Sequence, residues 1–199
     1  MATNDLDSGY WHLRVKPEHW TFLGIHFINE DGWVSYFIWL VMFLGVSDAV
    51  FIFSTMLKPI VVYLNSKGVP SMIYIDDQLV VGKDKKECAD NNRFAIETLG
   101  KAGWVVSPSK STGPASRLTF LGLDVCSSSS KFYIPEKKFS SLCHKLEEAF
   151  FAKKLQARWL ASLVGKIQSC SLAIGPVVRL MTRSMYRFIC SVVDEHSWS

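Results

Sequence analysis

Ser71-Met72-Ile73-Tyr74-Ile75-Asp76-Asp77-Gln78-Leu79-Val80-Val81-Gly82 sets two adjacent carboxylates inside an apolar stretch. The β-branched residues on either side predict two strands, Ser71–Tyr74 and Leu79–Val81, with the Asp pair in a tight connection between them. Like charges this close repel unless something cationic offsets them. A hard divalent ion such as Mg²⁺ or Mn²⁺ does so best, because carboxylate oxygens are its preferred ligands. An Asp-Asp β-turn without any ligand is the plainer reading of such a pair. The apolar setting and a third carboxylate upstream argue for the ion.

That third carboxylate lies in Asp5-Leu6-Asp7-Ser8-Gly9-Tyr10. Here the chain resembles the reverse transcriptases, which carry an Asp on the first palm strand, an aromatic residue five positions later, and a Tyr-x-Asp-Asp hairpin downstream. Between these, Phe43-Leu44-Gly45-Val46-Ser47-Asp48-Ala49 is similar to a Pro-Phe-Gly-Leu-Ser-x-Ala segment of long-terminal-repeat and related elements. Beyond them, Ala102-Gly103-Trp104 with Lys110-Ser111 resembles the Gly-aromatic and Lys segment. Leu118-Thr119-Phe120-Leu121-Gly122-Leu123 resembles the strand that grips the primer end. Ala161–Lys166 and Gly175–Arg183 are most like DIRS-type retrotransposons. The resemblance extends over about residues 1–190, with the motifs in the family's order.

The resemblance implies RNA-templated DNA synthesis by two-metal nucleotidyl transfer with Mg²⁺ or Mn²⁺, in which paired ions activate the attacking oxygen and neutralise the leaving one. It assigns Asp5, Asp76 and Asp77 to catalysis and metal binding. Leu6, Tyr10, Gly45 and Lys110 go to the nucleotide pocket, with Tyr10 beneath the sugar. Phe120, Leu121 and Gly122 form the primer grip. The implied partners are an RNA or DNA template with its primer and deoxynucleoside triphosphates. Three departures stand out: Phe43-Leu44-Gly45 replaces Pro-Phe-Gly, Ala49-Val50 replaces Ala-Pro, and only four residues precede Asp5. The expectation is a palm-and-beyond piece of a polyprotein, with fingers and RNase H regions elsewhere and little activity alone. An inactive relic that only binds nucleic acid is the alternative.

Composition fits a globular α+β protein: 49% of the 199 residues are hydrophobic and 20% charged, which excludes disorder. The five cysteines include no C-x-x-C pair, so they read as reduced, mostly buried thiols. With no signal peptide visible, an intracellular location is expected. His12, His19 and His26 recur every seven residues without a helical pattern, which argues against a metal site.

The net charge of +4 is uneven. Residues 1–130 hold 11 Lys/Arg against 13 Asp/Glu, whereas residues 131–199 hold 11 against 5. The basic half suits a phosphate backbone, with Lys153, Lys154, Arg158, Arg179 and Arg183 as candidates. Tyr36–Leu57 has the length of a membrane span, but Asp48 would cost about 2.5–3.5 kcal/mol at its centre. A buried strand and helix explain the same hydrophobicity, so no membrane is expected.

Periodicity predicts strands at Asp5–Val15, Trp20–Ile28 and Trp33–Leu40, and a helix capped by Ser47 and running to Leu64. A helix at Lys85–Ala102 and strands at Trp104–Val106, Leu118–Val125 and Lys131–Ile134 follow. Helices at Pro135–Phe151 and Gln156–Cys190 complete the chain, the last kinked at Gly175-Pro176. The expected architecture is a palm, an antiparallel sheet with helices on one face, over 1–125. The end of the primer-grip hairpin and a helical, thumb- or connection-like region follow over 126–199.

Overall fold

The computed structural model describes residues 1–43 and 45–192. Leu44, within the Phe43–Ala49 segment, and the last seven residues of the helical region lie outside the described residues. The chain divides into two compact units, Met1–Ala115 and Ser116–Ser199.

The first unit is built on a four-stranded antiparallel sheet. Its strands are β1 (Ala2–Leu6), β4 (Ser71–Tyr74), β5 (Asp77–Val80) and β6 (Val106–Thr112), in the order β4-β5-β1-β6. A separate hairpin pairs β2 (Gly24–Ile28) with β3 (Val34–Ile38). Helices α1 (Ala49–Ser66) and α2 (Lys85–Lys101) cover one face of the sheet. Along β1 the residues alternate buried and half-exposed, so Ala2, Asn4 and Leu6 face the helices while Thr3 and Asp5 face away. Leu6 joins Phe53, Leu57, Leu99 and Trp104 in one core cluster. Val80 joins Leu64, Val69 and Ala95 in another. Full burial of each large apolar side chain stabilises by roughly 1.5–3 kcal/mol.

Several elements differ from expectation for identifiable reasons. The first strand stops at Leu6, because Ser8 takes a left-handed conformation (φ 52°) and Gly9–His12 coils into a 3₁₀ turn. Pro17 starts a second 3₁₀ turn through Phe22, so the next strand begins at Gly24. Asp48, not Ser47, is the residue before α1. The segment 36–57 comprises a strand end, a loop and half of α1, not one spanning helix. Among the described residues α1 alone is long and apolar enough to cross a membrane, and its Phe53, Leu57 and Leu64 pack in the first unit's core.

The second unit opens with an antiparallel meander, β7 (Arg117–Phe120), β8 (Leu123–Cys126) and β9 (Lys131–Tyr133). The expected single strand 118–125 is a hairpin: Leu121 (φ 49°) and Gly122 (φ 73°) both turn left-handed, the signature of a two-residue turn between twisted strands. Helices α3 (Glu136–Phe151), α4 (Ala157–Gln168), α5 (Ser171–Ile174) and α6 (Val177–Val192) follow. Leu142, Leu160, Leu163, Val164, Cys170 and Ile189 form their core. Gly175-Pro176 separates α5 from α6, and a further break at Ser169–Cys170 ends α4. All five cysteines are free, but only Cys88 and Cys170 are buried.

Candidate active site

The stretch around Asp76 is a hairpin with a two-residue turn. Tyr74 pairs with Asp77, leaving Ile75 and Asp76 as the turn. Only Asp76 therefore occupies the connection; Asp77 is the first residue of β5. Ile75 has φ 56°, a conformation that β-branched residues rarely adopt and that costs of order 1–3 kcal/mol. Its side chain packs against the Leu6–Phe53 cluster, which offsets that strain.

Pairing of β1 with β5 sets Asp5 directly opposite Asp77. The Leu6 amide donates to the Asp76 carbonyl (3.1 Å), fastening the turn to β1. The Leu6 side chain is buried at 2% exposure, so only its main chain is available to a nucleotide. All three carboxylates share one electrostatic environment. Burial, then Asp76 and Asp5, raise the Asp77 pKa, and Lys110 partly offsets them.

Lys110 arrives by way of an irregularity in β6. Thr3 pairs with Thr112 but Asp5 pairs with Ser107, so the extra residues of β6 bulge outward. Ser111 Oγ accepts from the Asp5 amide (3.3 Å) and donates to the Ser107 carbonyl (2.6 Å), bracing the bulge. Lys110 thereby sits on a strand with Nζ 3.3 Å from Asp5 Oδ1. That oxygen is buried and, despite the ion pair, has no hydrogen bond.

Tyr10 stacks on Phe53 (centroids 4.5 Å apart, 25° between planes). Burial first and the charge of Asp76 second raise its phenol pKa. Gly45 lies in the loop before α1 with φ 110°, where a side chain would be strained. No hydrogen bond among the described residues joins it to the carboxylates.

The oxygen-only donor set on two strands and a turn, one orphaned buried oxygen and a mutually repelling Asp77 all suit a hard divalent cation. Among the described residues no three His, Cys, Asp or Glu side chains stand close enough to hold one ion as they lie. Like charges stand apart, and Lys110 draws on Asp5. His12 meets Trp104 edge-on at 5.4 Å, and His26 packs at 6.3 Å from Tyr36.

A pH signature follows. The folded-state pKa of Asp77 lies above its unfolded value, so ionisation of this group opposes folding. Its favourable contribution is complete below about 3.8 and is lost as pH rises through the raised value. Asp77→Asn is expected to raise the metal-free melting temperature at neutral pH and to flatten this part of the pH dependence. Thermal melts of both proteins across the acidic range check it.

The other expected residues lie in the second unit. Phe120 is buried at the end of β7, while Leu121 and Gly122 form the exposed turn. Lys138 has a role that no motif marks: its Nζ donates to the carbonyls of Gly122 and Ser169 (3.2 Å each), tying that turn to the end of α4. Lys153 and Lys154 are exposed between α3 and α4, and Arg158 is exposed on α4. Arg179 and Arg183 are exposed on α6, where exposed Arg187 continues the same row. The i, i+4 spacing already visible in the sequence signals this third arginine.

Solved structures share this fold. The chain is similar to a foamy viral protease-reverse transcriptase in complex with an RNA/DNA hybrid, with a TM-score of 0.72 and 16% identity over 97% of this chain and 24% of that one. Another structure of a foamy viral protease-reverse transcriptase, in complex with dsDNA, aligns with a TM-score of 0.70 and 17% identity over 96% of this chain and 37% of that one. The chain thus spans well under half the length of the structures it resembles. No curated protein sequence matches it. The carboxylate hairpin, the strand opposite it and the bulge bearing Lys110 all fall within residues 1–125, which match the sequence profile described as reverse transcriptase (RNA-dependent DNA polymerase). The chain belongs to the reverse transcriptase family.

Proposed function

We propose that this chain is the palm and thumb-like portion of an RNA-directed DNA polymerase from a retrotransposon, of DIRS type on the pattern of its C-terminal motifs. In this reading residues 1–125 are the palm, and residues 126–199 complete the primer-grip hairpin and add the helical region. Fingers and RNase H regions belong to the rest of a parent polyprotein, consistent with coverage of 24–37% of the longer enzymes. The location is intracellular. The alignment of Asp5 with Asp77 beside the Asp76 turn carries this reading.

Asp5, Asp76 and Asp77 would hold Mg²⁺ or Mn²⁺, which when bound supplies charge stabilisation and activation of the primer hydroxyl. Lys110 offsets carboxylate charge and offers an ammonium for an incoming triphosphate. Tyr10, held flat by Phe53, limits space at the sugar. Leu121 and Gly122 steady the primer end, and Lys153, Lys154, Arg158, Arg179, Arg183 and Arg187 follow the template-primer backbone. Among the described residues Lys110 is the one cation paired with the carboxylates. One ammonium gives weak electrostatic preorganisation for a triphosphate, so the chain alone should extend primers slowly.

Binding and extension test the reading together. A labelled RNA/DNA primer-template should bind with salt-sensitive affinity. Replacing Arg179, Arg183 and Arg187 with Ala should lower the log–log salt slope by about 2–3, since each phosphate no longer neutralised removes about 0.7–0.9. Mn²⁺-dependent extension should be slow and absent from Asp76→Asn, Asp77→Asn. Binding with no extension in any metal would reduce the function to nucleic-acid binding. A salt slope unchanged by the arginine replacements would remove α6 from the interface.

A further inference from the structure

Directly behind the carboxylates, on the helix-facing side of the sheet, sits a buried cluster of amides. Asn4 is 1% exposed and Gln78 is fully buried. They face each other in the β1–β5 register, one step from the Asp5–Asp77 pair. Asn4 Nδ2 donates to Gln78 Oε1 (2.9 Å) and to Asn92 Oδ1 on α2 (2.8 Å). Asn4 Oδ1 and Gln78 Nε2 are buried without partners. They are a complementary acceptor and donor on two residues that are already bonded to each other.

Apolar residues would fill this space at lower cost, since the neighbours on the same face are Ala2, Leu6 and Val80. Burying amides is unfavourable unless each finds a partner, and losing one partner is worse than never having the pair. Amides here therefore select between alternatives more than they stabilise. The alternatives are slips of β5 along β1. A one-residue slip turns side chains to the wrong face and is already opposed by the alternating pattern. A two-residue slip is not: it preserves alternation, and Leu79, Val80 and Val81 offer interchangeable apolar packing. Such a slip sets Asp5 opposite Leu79 or Ile75 and dismantles the carboxylate pair. It also breaks the Asn4–Gln78 bond inside the core.

We propose that Asn4, Gln78 and Asn92 form a register lock whose function is to hold Asp5 opposite Asp77. They are positioning residues, acting through the strands and touching neither metal nor nucleotide. The proposal rests on reading the carboxylates as the metal site, and it adds residues on the opposite face of the sheet to that site.

The test compares the wild-type chain with Asn4→Leu, Gln78→Leu and the double variant. Cross-strand NOEs in isotope-labelled protein report the register, and Mn²⁺ titration reports the site. Each single variant should melt lower, because one amide is stranded. The double variant should recover the melting temperature yet show a second set of NOEs from residue 5 to residue 79 or 75. If the paired register falls to about a tenth of the population, its apparent Mn²⁺ affinity drops about tenfold. A double variant with one wild-type set of NOEs and unchanged Mn²⁺ affinity overturns the lock. Should the double variant fail to fold, the single variants decide, because each removes the cross-strand bond. A second set of NOEs in Asn4→Leu or Gln78→Leu supports the lock, and a single wild-type set in both overturns it. The NOE readout needs no metal. If the wild-type chain binds no Mn²⁺, the metal-site reading falls and the register data alone decide the lock.

Discussion

Asn at both 76 and 77 is expected to abolish the stabilisation that Mn²⁺ gives the wild-type chain, while leaving the metal-free protein at least as stable as before. The two effects have one origin. Asp77 is raised by burial and by its acidic neighbours, so its ionised form works against folding at neutral pH. Asn keeps the shape and removes the charge. For the wild type, a cation at about 100 times its dissociation constant adds roughly 2.7 kcal/mol to stability. That is a rise of roughly 5–11 °C in melting temperature for a chain this size. Residues that merely orient metal ligands are worth about 10–100-fold in affinity, so loss of two ligands should cost on the order of 10²-fold or more. Melts with and without Mn²⁺ give both numbers in one experiment. If the double variant responds to Mn²⁺ like the wild type, the stabilising cation binds elsewhere. If its metal-free melting temperature falls, Asp76 or Asp77 makes a favourable interaction that outweighs the repulsion.

The sequence made some of this arrangement readable and hid the rest, according to how local the cause was. The hairpin at Ile75-Asp76 follows from adjacent residues: β-branched flanks and a carboxylate turn. The helix at Lys85–Lys101 follows from Asp84, whose carboxylate caps the Glu87 amide, and from a clear apolar stripe. Asp5 was reachable only by family resemblance, because pairing across more than seventy residues leaves no local trace. The position of Lys110 depends on a bulge created by non-local pairing with β1, and Pro-Ser-Lys-Ser by itself reads as a loop. Asn4 and Gln78 escape a sequence reading for the opposite reason. Their polarity suggests solvent, and only the alternation of β1, with Ala2 and Leu6 on the same face, marks Asn4 as inward. The hairpin hidden within Leu118–Val125 turns on Leu121, a residue with no turn preference, followed by Gly122.

Two glycine-to-alanine changes at opposite ends of α2 should have opposite signs. Gly82 ends the carboxylate hairpin where the chain enters α2. A Cβ there would lie 2.3 Å from the Cys88 amide nitrogen and 2.6 Å from Cys88 Cα. Both are backbone atoms, so no rotamer change relieves the clash and the helix itself must withdraw. Withdrawal strains the hydrogen bond from Asn91 Nδ2 to the Val81 carbonyl (2.8 Å) and the bond between Asn4 and Asn92 (2.8 Å). Overpacking ordinarily costs about 1–3 kcal/mol, and a rigid Cβ against backbone belongs at or above the top of that range. Gly82→Ala should therefore lower the melting temperature by roughly 6–12 °C. Gly100, on the same helix, has nothing within 4 Å of its Cβ position. There alanine restricts the unfolded chain and improves helix propensity, for a gain of about 0.5–1 kcal/mol. Denaturant melts of the two variants measure both signs. If Gly82→Ala is as stable as the wild type, the junction of β5 with α2 yields without cost, and α2 does not hold the carboxylate hairpin in place.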